Sequence, residues 1–373
     1  MIRVLHLIDG FELGGAQTVV LELARHLNRD HFHLEIAGLH GQGPFREELE
    51  NTGVPVHVLS PGKWPPAYLV NFPALLARGR FDIVHCHLFA SNWLGKPLTR
   101  LLQPGVKLVS HDHCNDALRW RNRMALLLDA WTNQCSDRIL AVSESTREFL
   151  LRYEDVDREK VTTLHNGIDT ELFVPADPAG KKAARLALGL PAEEFLVLGV
   201  GRLVEQKNFR GFLRVAQSVL ERQGGLQFAI AGEGPQREEL QTRIRESGCQ
   251  NQIRLLGFVK DRVALMQTAD VLFLPSLFEG MPMTLLEAMS CGLPVVGSAV
   301  DGVSEALGSG GEGWLFDAAD EASFRTTLLR LKNDPDLGPS LGKSLRQRCR
   351  ESFDARQQAR KLDEIYGNLV NSG

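Results

Sequence analysis

The chain has 373 residues, of which 43% are hydrophobic and 24% charged, with a formal net charge of -4. That length suits two α/β domains of ordinary size better than one large one, and the acidic balance argues against a general nucleic-acid-binding surface. No apolar run approaches the roughly 20 residues that span a bilayer. The N-terminus opens on a strand rather than an export signal, and Cys86, Cys114, Cys135, Cys249, Cys291 and Cys349 include no C-x-x-C pair, so reduced thiols in the cytoplasm are expected.

In chain order, short apolar strands are predicted at 2–8, 33–39, 54–59, 82–86, 106–110, 138–142 and 161–164, with helices near 16–28, 44–52, 91–102, 117–134 and 144–151. This alternation argues for a parallel sheet covered by helices on both faces. The first strand runs into the loop GFELGGAQ, where Gly14 and Gly15 let a backbone approach a phosphate closely. The loop is not G-x-G-x-x-G, and no acid ends a second strand about 20 residues on, which argues against a nucleotide-dependent dehydrogenase. His85 and His87 share an H-x-H at one strand end, as do His111 and His113 at another. Such pairs can converge on a metal, or serve as core and capping residues; no metal site is assigned. Ser143 and Glu144 read as an N-cap and a first-turn acid. Asp155-Val156-Asp157 is formally D-x-D but sits in a charged run and reads as a solvated turn.

HNGIDTELFVPADPAG then interrupts the alternation with an Asn166-Gly167 turn signal and closely spaced Pro and Gly, and a domain boundary is placed near residue 173. A second set of strands follows at 195–200, 226–231, 253–256, 270–274 and 294–298, with helices between them. From about 319 the chain is helical, and 354–371 forms one amphipathic helix.

Residues 279–287, EGMPMTLLE, carry the most chemistry. Pro282 suits the first turn of a helix, where its missing N–H costs nothing. Glu279 then lies on the loop before the helix and Glu287 about one and a half turns inside it. Gly280, Met281 and Met283 offer backbone amides at a positive helix end, which is an anion site. Acids beside an anion site suit an anion that carries hydroxyls: one Glu accepts from sugar hydroxyls, the other from a ribose diol. Upstream, a buried strand ends at Gly199-Val200-Gly201 and is followed by Arg202 and Lys207. Cations just past a strand end sit where open α/β sheets bind ligands, and both can hold phosphate.

These residues resemble the retaining glycosyltransferases of family 4, which have the GT-B fold of two facing Rossmann-like domains. GGAQ at 14–17 resembles the family's GGAE loop. AVSES, HNGID, GRLVEQKN, AGEGP, LLGFV and the two-Glu segment follow in family order, nearly end to end. EGMP stands where the family has EGFG, and Pro282 removes one amide. The resemblance implies an acceptor-binding domain at 1–173 joined by a crossing helix at 354–373, and a donor-binding domain at 174–353. It implies transfer of a hexose-type sugar from a nucleoside diphosphate sugar to an acceptor hydroxyl with retention of configuration, in cell-surface polysaccharide or glycolipid assembly. Glu279, His113, Arg202 and Lys207 are then catalytic. Gly14, Gly15, His111, Gly257, Phe258, Val259, Gly280, Met281, Met283 and Glu287 bind substrate, with the 257–259 loop near the base. No cofactor or metal is required. The partners implied are a nucleotide sugar and a glycan or lipid-linked glycan, with no nucleic acid. The segment 117–131, which interleaves Arg119, Arg121 and Arg123 with Trp120, Met124 and Leu127, suggests peripheral contact with an anionic membrane. An epimerase or inverting transferase of the same fold, or a non-catalytic sugar-nucleotide binder, are the alternatives.

Overall fold

A computed structural model describes residues 1–12, 14–41, 43–62, 67–113, 123–311 and 313–371. The chain divides into two compact units, Met1–Gly167 with Ala355–Gly373, and Ile168–Asp354.

The first unit holds a seven-stranded parallel sheet of β1 (Ile2–Ile8), β2 (Phe32–Gly38), β3 (Val56–Val58), β4 (Ile83–His87), β5 (Lys107–Asp112), β6 (Arg138–Ala141) and β7 (Val161–Thr163), ordered β3-β2-β1-β4-β5-β6-β7. Its central strands are buried along almost their whole length, as strands covered on both faces must be. Leu5, Leu7, Val84, Cys86 and Leu108 pack against Phe72, Leu75 and Leu76 of the helix Tyr68–Gly79. Sequence reading places no helix there, and Pro73 falls in its middle, where proline normally breaks a helix. Burial of the Phe72, Leu75, Leu76 and Gly79 face outweighs the lost hydrogen bond.

The final helix, Ala355–Asn371, belongs to this first unit. Its inner face is Ala355, Gln358, Ala359, Leu362, Tyr366 and Leu369, an i, i+3, i+4, i+7 stripe. Tyr366 is fully buried and its hydroxyl reaches His6 and His85.

The second unit holds β8 (Phe195–Val200), β9 (Leu226–Ala231), β10 (Ile253–Gly257), β11 (Val271–Leu274), β12 (Val295–Ser298) and β13 (Leu315–Phe316), ordered β10-β9-β8-β11-β12-β13 and again parallel. Phe209, Phe212, Phe228, Phe273 and Phe324 form an aromatic core between this sheet and its helices. The Pro- and Gly-rich stretch that breaks the strand pattern in the sequence itself starts a helix, Pro178–Ala187. Asp177 caps it by accepting from the Gly180 amide, and Pro178 occupies the first helical position.

Both sheets reverse strand order once, between β1 and β4 in the first unit and between β8 and β11 in the second. The crevice beyond the strand carboxyl ends at such a switch point is where doubly wound sheets bind ligands.

Candidate active site

In the second unit, the loops after β8 and β11 lie side by side at the switch point. The first carries Arg202 and Lys207, the second Glu279. Lys207 Nζ donates to Glu279 Oε1 at 2.5 Å, and both side chains are largely buried. The two loops are also tied through their backbones. The Leu277 amide donates to the Gln206 carbonyl at 2.8 Å, and the Gln206 side-chain amide donates to the Phe278 carbonyl at 3.0 Å. Asn208, in the left-handed region at φ 50°, caps the following helix through Gly211 and donates to the Pro275 carbonyl at 3.0 Å. Gln206 and Asn208 therefore fix the loops that present the charges. Sequence reading gave them no role, because a loop amide has no periodicity to betray its partner.

Arg202 is exposed and makes no ion pair among the described residues. Gly232, at φ 146°, lets the loop after β9 touch this region: a Cβ there would fall 1.9 Å from the Gly201 carbonyl oxygen. Gly302 does the same for the Glu279 loop, since its Cβ would lie 1.3 Å from the Gly280 carbonyl oxygen.

The helix of the two-Glu segment is Met283–Ser290, and Pro282 is its N-cap, with ψ 128°. Proline's fixed φ accommodates the extended cap position as readily as the helical one, so the helix starts one residue later than the sequence suggests. The Leu285 and Leu286 amides bond to the Pro282 carbonyl, which leaves the first-turn amides of Met283 and Thr284 outside that pairing. Thr284 Oγ1 and Ser276 Oγ are buried in the same region without a partner among the described residues. Glu287 is 1% exposed and accepts from Arg262 at 2.7 Å. Arg262 was not singled out from the sequence, because it opens a separate helix, Arg262–Thr268, 25 positions before Glu287. Gly257, at φ 71°, ends β10, and Phe258 beyond it is 42% exposed; Val259 is half-buried.

In the first unit, Gly14 is the N-cap of the helix Gly15–His26 and has no side chain to cap it. The Gln17 amide folds back to donate to the Gly10 carbonyl at 3.2 Å, and open space surrounds the missing Cβ of Gly15. At the neighbouring strand end, Leu88 adopts φ 70°, which is strained for a bulky residue. Asp9 beyond β1 accepts from the amides of Ala90 and Ser91 and from the Ser91 hydroxyl. Burial raises the Asp9 carboxyl, and those hydrogen bonds oppose the shift.

His111 and His113 share one face of β5, with rings stacked 4.4 Å apart. His113 lies at the strand end and donates to or accepts from His87 at 3.0 Å, while His111 lines a small cavity with Val19, Glu22, Leu23 and Gly167, both of its ring nitrogens without a partner among the described residues. Desolvation lowers His113 to about 3 and His111 well below its ordinary value, so both are neutral. One ligand atom each from His87, His111 and His113 falls within 4.8 Å of the others, as for His6, His85 and His87. Asp155 and Asp157 of the D-x-D are both exposed, and Asp157 accepts from the Glu159 amide as a turn cap.

Two parallel-sheet units, one of them with cations and helix amides gathered at its switch point, define a sugar-nucleotide transferase of the GT-B type. Residues 181–352 match the family model for glycosyl transferases group 1, and residues 13–172 match that for Glycosyltransferase Family 4. The chain is 31% identical over 318 residues to the Bacillus subtilis (strain 168) protein named glycosyltransferase EpsF, covering 83% of this chain and 81% of that one. It is 29% identical over 310 residues, 81% of this chain and 79% of the other, to an Escherichia coli UDP-Gal:alpha-D-GlcNAc-diphosphoundecaprenol alpha-1,3-galactosyltransferase. The crystal structure of Anabaena HepE in complex with UDP-glucose shares the fold, with a TM-score of 0.87 at 19% identity over 99% of this chain and 100% of that chain. The chain belongs to the family 4 glycosyltransferases, and it transfers a sugar from a nucleoside diphosphate sugar to an acceptor.

Proposed function

We propose that the protein moves a hexose, with retention of configuration, onto a hydroxyl of a lipid-linked glycan at a membrane surface. The observation that carries the donor half is the pairing of Lys207 with Glu279 beside the free Arg202 at the β8/β11 switch point. Departure of a nucleoside diphosphate builds negative charge on its oxygens, and fixed donors aimed at that charge supply most of the rate. Arg202, Lys207 and the amides from Gly280 to Met283 are the donors assigned to it. Glu279 accepts from the sugar hydroxyls and Glu287 from the ribose. Gly257, Phe258 and Val259 lie near the base. In the first unit, Gly14, Gly15, His111 and His113 are assigned to substrate on the strength of the resemblance. The test is turnover with a panel of UDP-, GDP- and ADP-hexoses, followed by proton NMR of the product anomer. An inverted anomer, or no turnover with any donor, would overturn the reading.

Positive side chains and helix amides already oppose the leaving-group charge, so the reaction is assigned no metal. Turnover should be unchanged in excess chelator. Activity lost on chelation and restored by magnesium or manganese would count against this.

The acceptor half rests on the helix Arg123–Asn133. Met124, Leu127, Leu128 and Trp131 stand 73%, 65%, 40% and 55% exposed, at i, i+3, i+4 and i+7 on one face. An exposed apolar stripe that follows a run of arginines in the sequence suits an anionic lipid surface. Arg119 and Arg121 of that run lie outside the described residues, and no described helix is long and apolar enough to cross a membrane. The Escherichia coli relative's name gives it an undecaprenol-linked acceptor, in keeping with this reading. Co-sedimentation with anionic vesicles should be strong at low salt and fall at high salt. It should also fall when Leu127 and Trp131 are changed to Ser. Binding that ignores both changes would refute the surface.

A further inference from the structure

Behind His113, four buried side chains from two strands and the last helix join in one line of hydrogen bonds. His113 Nε2 meets His87 Nδ1 at 3.0 Å, His87 Nε2 meets His6 Nδ1 at 3.1 Å, and His6 Nε2 meets the Tyr366 hydroxyl at 2.9 Å. The same hydroxyl meets His85 Nδ1 at 2.6 Å. His6, His85, His87 and Tyr366 are all 0% exposed. The two ends of the line, His113 Nδ1 and His85 Nε2, have no partner among the described residues.

We propose that Tyr366, His6, His85 and His87 are positioning residues that hold His113 as its Nε2–H tautomer, which makes Nδ1 a hydrogen-bond acceptor for a substrate hydroxyl. Each imidazole is neutral, because desolvation lowers His6 and His113 to about 3 and His85 and His87 well below their ordinary range. A neutral imidazole has one N–H and one bare nitrogen. Each link therefore forces the next, and with the phenol proton donated within the line there are two arrangements, one with every histidine protonated on Nε2 and one with every histidine protonated on Nδ1. Both hold five protons on the five groups.

The distances at Tyr366 choose between them. An O–H donor makes shorter hydrogen bonds than an N–H donor. The 2.6 Å contact is then Tyr366 donating to His85 Nδ1, and the 2.9 Å contact is His6 Nε2–H donating to the phenol oxygen. His6 Nδ1 must accept from His87 Nε2–H, and His87 Nδ1 from His113 Nε2–H. The lone pair left over is on His113 Nδ1. A residue near the C-terminus thus decides what a histidine at the end of β5 offers to a ligand.

The contact between His113 and a substrate hydroxyl rests on the function proposed above; the tautomer does not, and the two are tested apart. In the full-length protein labelled with 15N-histidine, two-bond proton–nitrogen correlation spectra report which ring nitrogen carries hydrogen. All four histidines should be Nε2–H. In Tyr366→Phe the line loses its anchor, and Nδ1–H forms should appear together at His6, His87 and His113. In His87→Asn, which serves if Tyr366→Phe does not fold, His6 should keep Nε2–H while His113 becomes mixed. An Nδ1–H form at any of the four in the unaltered protein overturns the proposal, as does a His113 that stays purely Nε2–H in both variants. Where Nδ1 meets a substrate hydroxyl, Tyr366→Phe should lower kcat by roughly 2- to 10-fold, the worth of one neutral hydrogen bond, with donor KM little changed. Unchanged kcat in both Tyr366→Phe and His113→Ala, with the spectra as expected, would remove the substrate contact and leave the line standing.

Discussion

Glu279→Gln should lower kcat by about 10- to 100-fold while changing donor KM far less, the range set by charge-assisted hydrogen bonds. The substitution keeps the shape of the side chain and removes its charge. If its bonds to sugar hydroxyls tighten as the ring becomes oxocarbenium-like, the loss falls on the transition state. The structure adds a second cost. Glu279 is 5% exposed and bonded to Lys207, so the glutamine leaves a largely buried ammonium without its counter-charge. Glu287→Gln is the contrasting control. Glu287 is assigned to a ribose that does not react and is held by Arg262, so its loss should raise donor KM with little change in kcat. Donor-saturation kinetics of both variants, with folding checked by thermal melts, provide the measurement. Normal kcat in Glu279→Gln would remove that residue from the reacting centre.

Arg202→Ala and Lys207→Ala should each lower kcat/KM for the donor by about tenfold or more, as expected for charge-assisted contacts to phosphate. The two differ in how they combine with Glu279→Gln. Lys207 and Glu279 form one ion pair, so their double variant should lose less than the product of the single losses. Arg202 is exposed and outside that pair, so its effect should multiply with that of Glu279→Gln. Full activity in both single variants would refute the phosphate assignment. Simple multiplication in the Lys207/Glu279 cycle would show that the resting ion pair has no part in the reaction.

The pair also bears on how the site waits for its donor. A largely buried ammonium and a buried carboxylate satisfy each other at 2.5 Å, which lowers the cost of keeping both from water. Under the proposed function, a diphosphate that takes hydrogen bonds from Lys207 would free Glu279 lone pairs for sugar hydroxyls. The loop holding Glu279 has little room to follow a moving partner. Gly302 packs against the Gly280 carbonyl, and Gln206 and Asn208 bond to the carbonyls of Phe278 and Pro275. Adjustment therefore falls to the flexible lysine stem rather than to the backbone.

The amino-acid order by itself determined the alternation of strands and helices, because apolar runs of four to seven residues have few other ways to be buried. It also determined the loop chemistry at 201–208 and 279–287, where glycine, cations and acids are local signals. Other features were decided only in three dimensions. The helix Tyr68–Gly79 forms in spite of Pro73 because Phe72, Leu75 and Leu76 find a core to enter, and no local rule reports that. Arg262 meets Glu287 across 25 positions and Lys207 meets Glu279 across 72, distances over which sequence spacing says nothing about contact. The histidines show the division most plainly. Two H-x-H pairs were visible in the sequence, but His6 and Tyr366, 360 positions apart, meet only because β1 lies beside β4 and the final helix folds back onto the first unit. Strand order and helix docking are settled by long-range packing, and that packing turned separate histidines into one connected line.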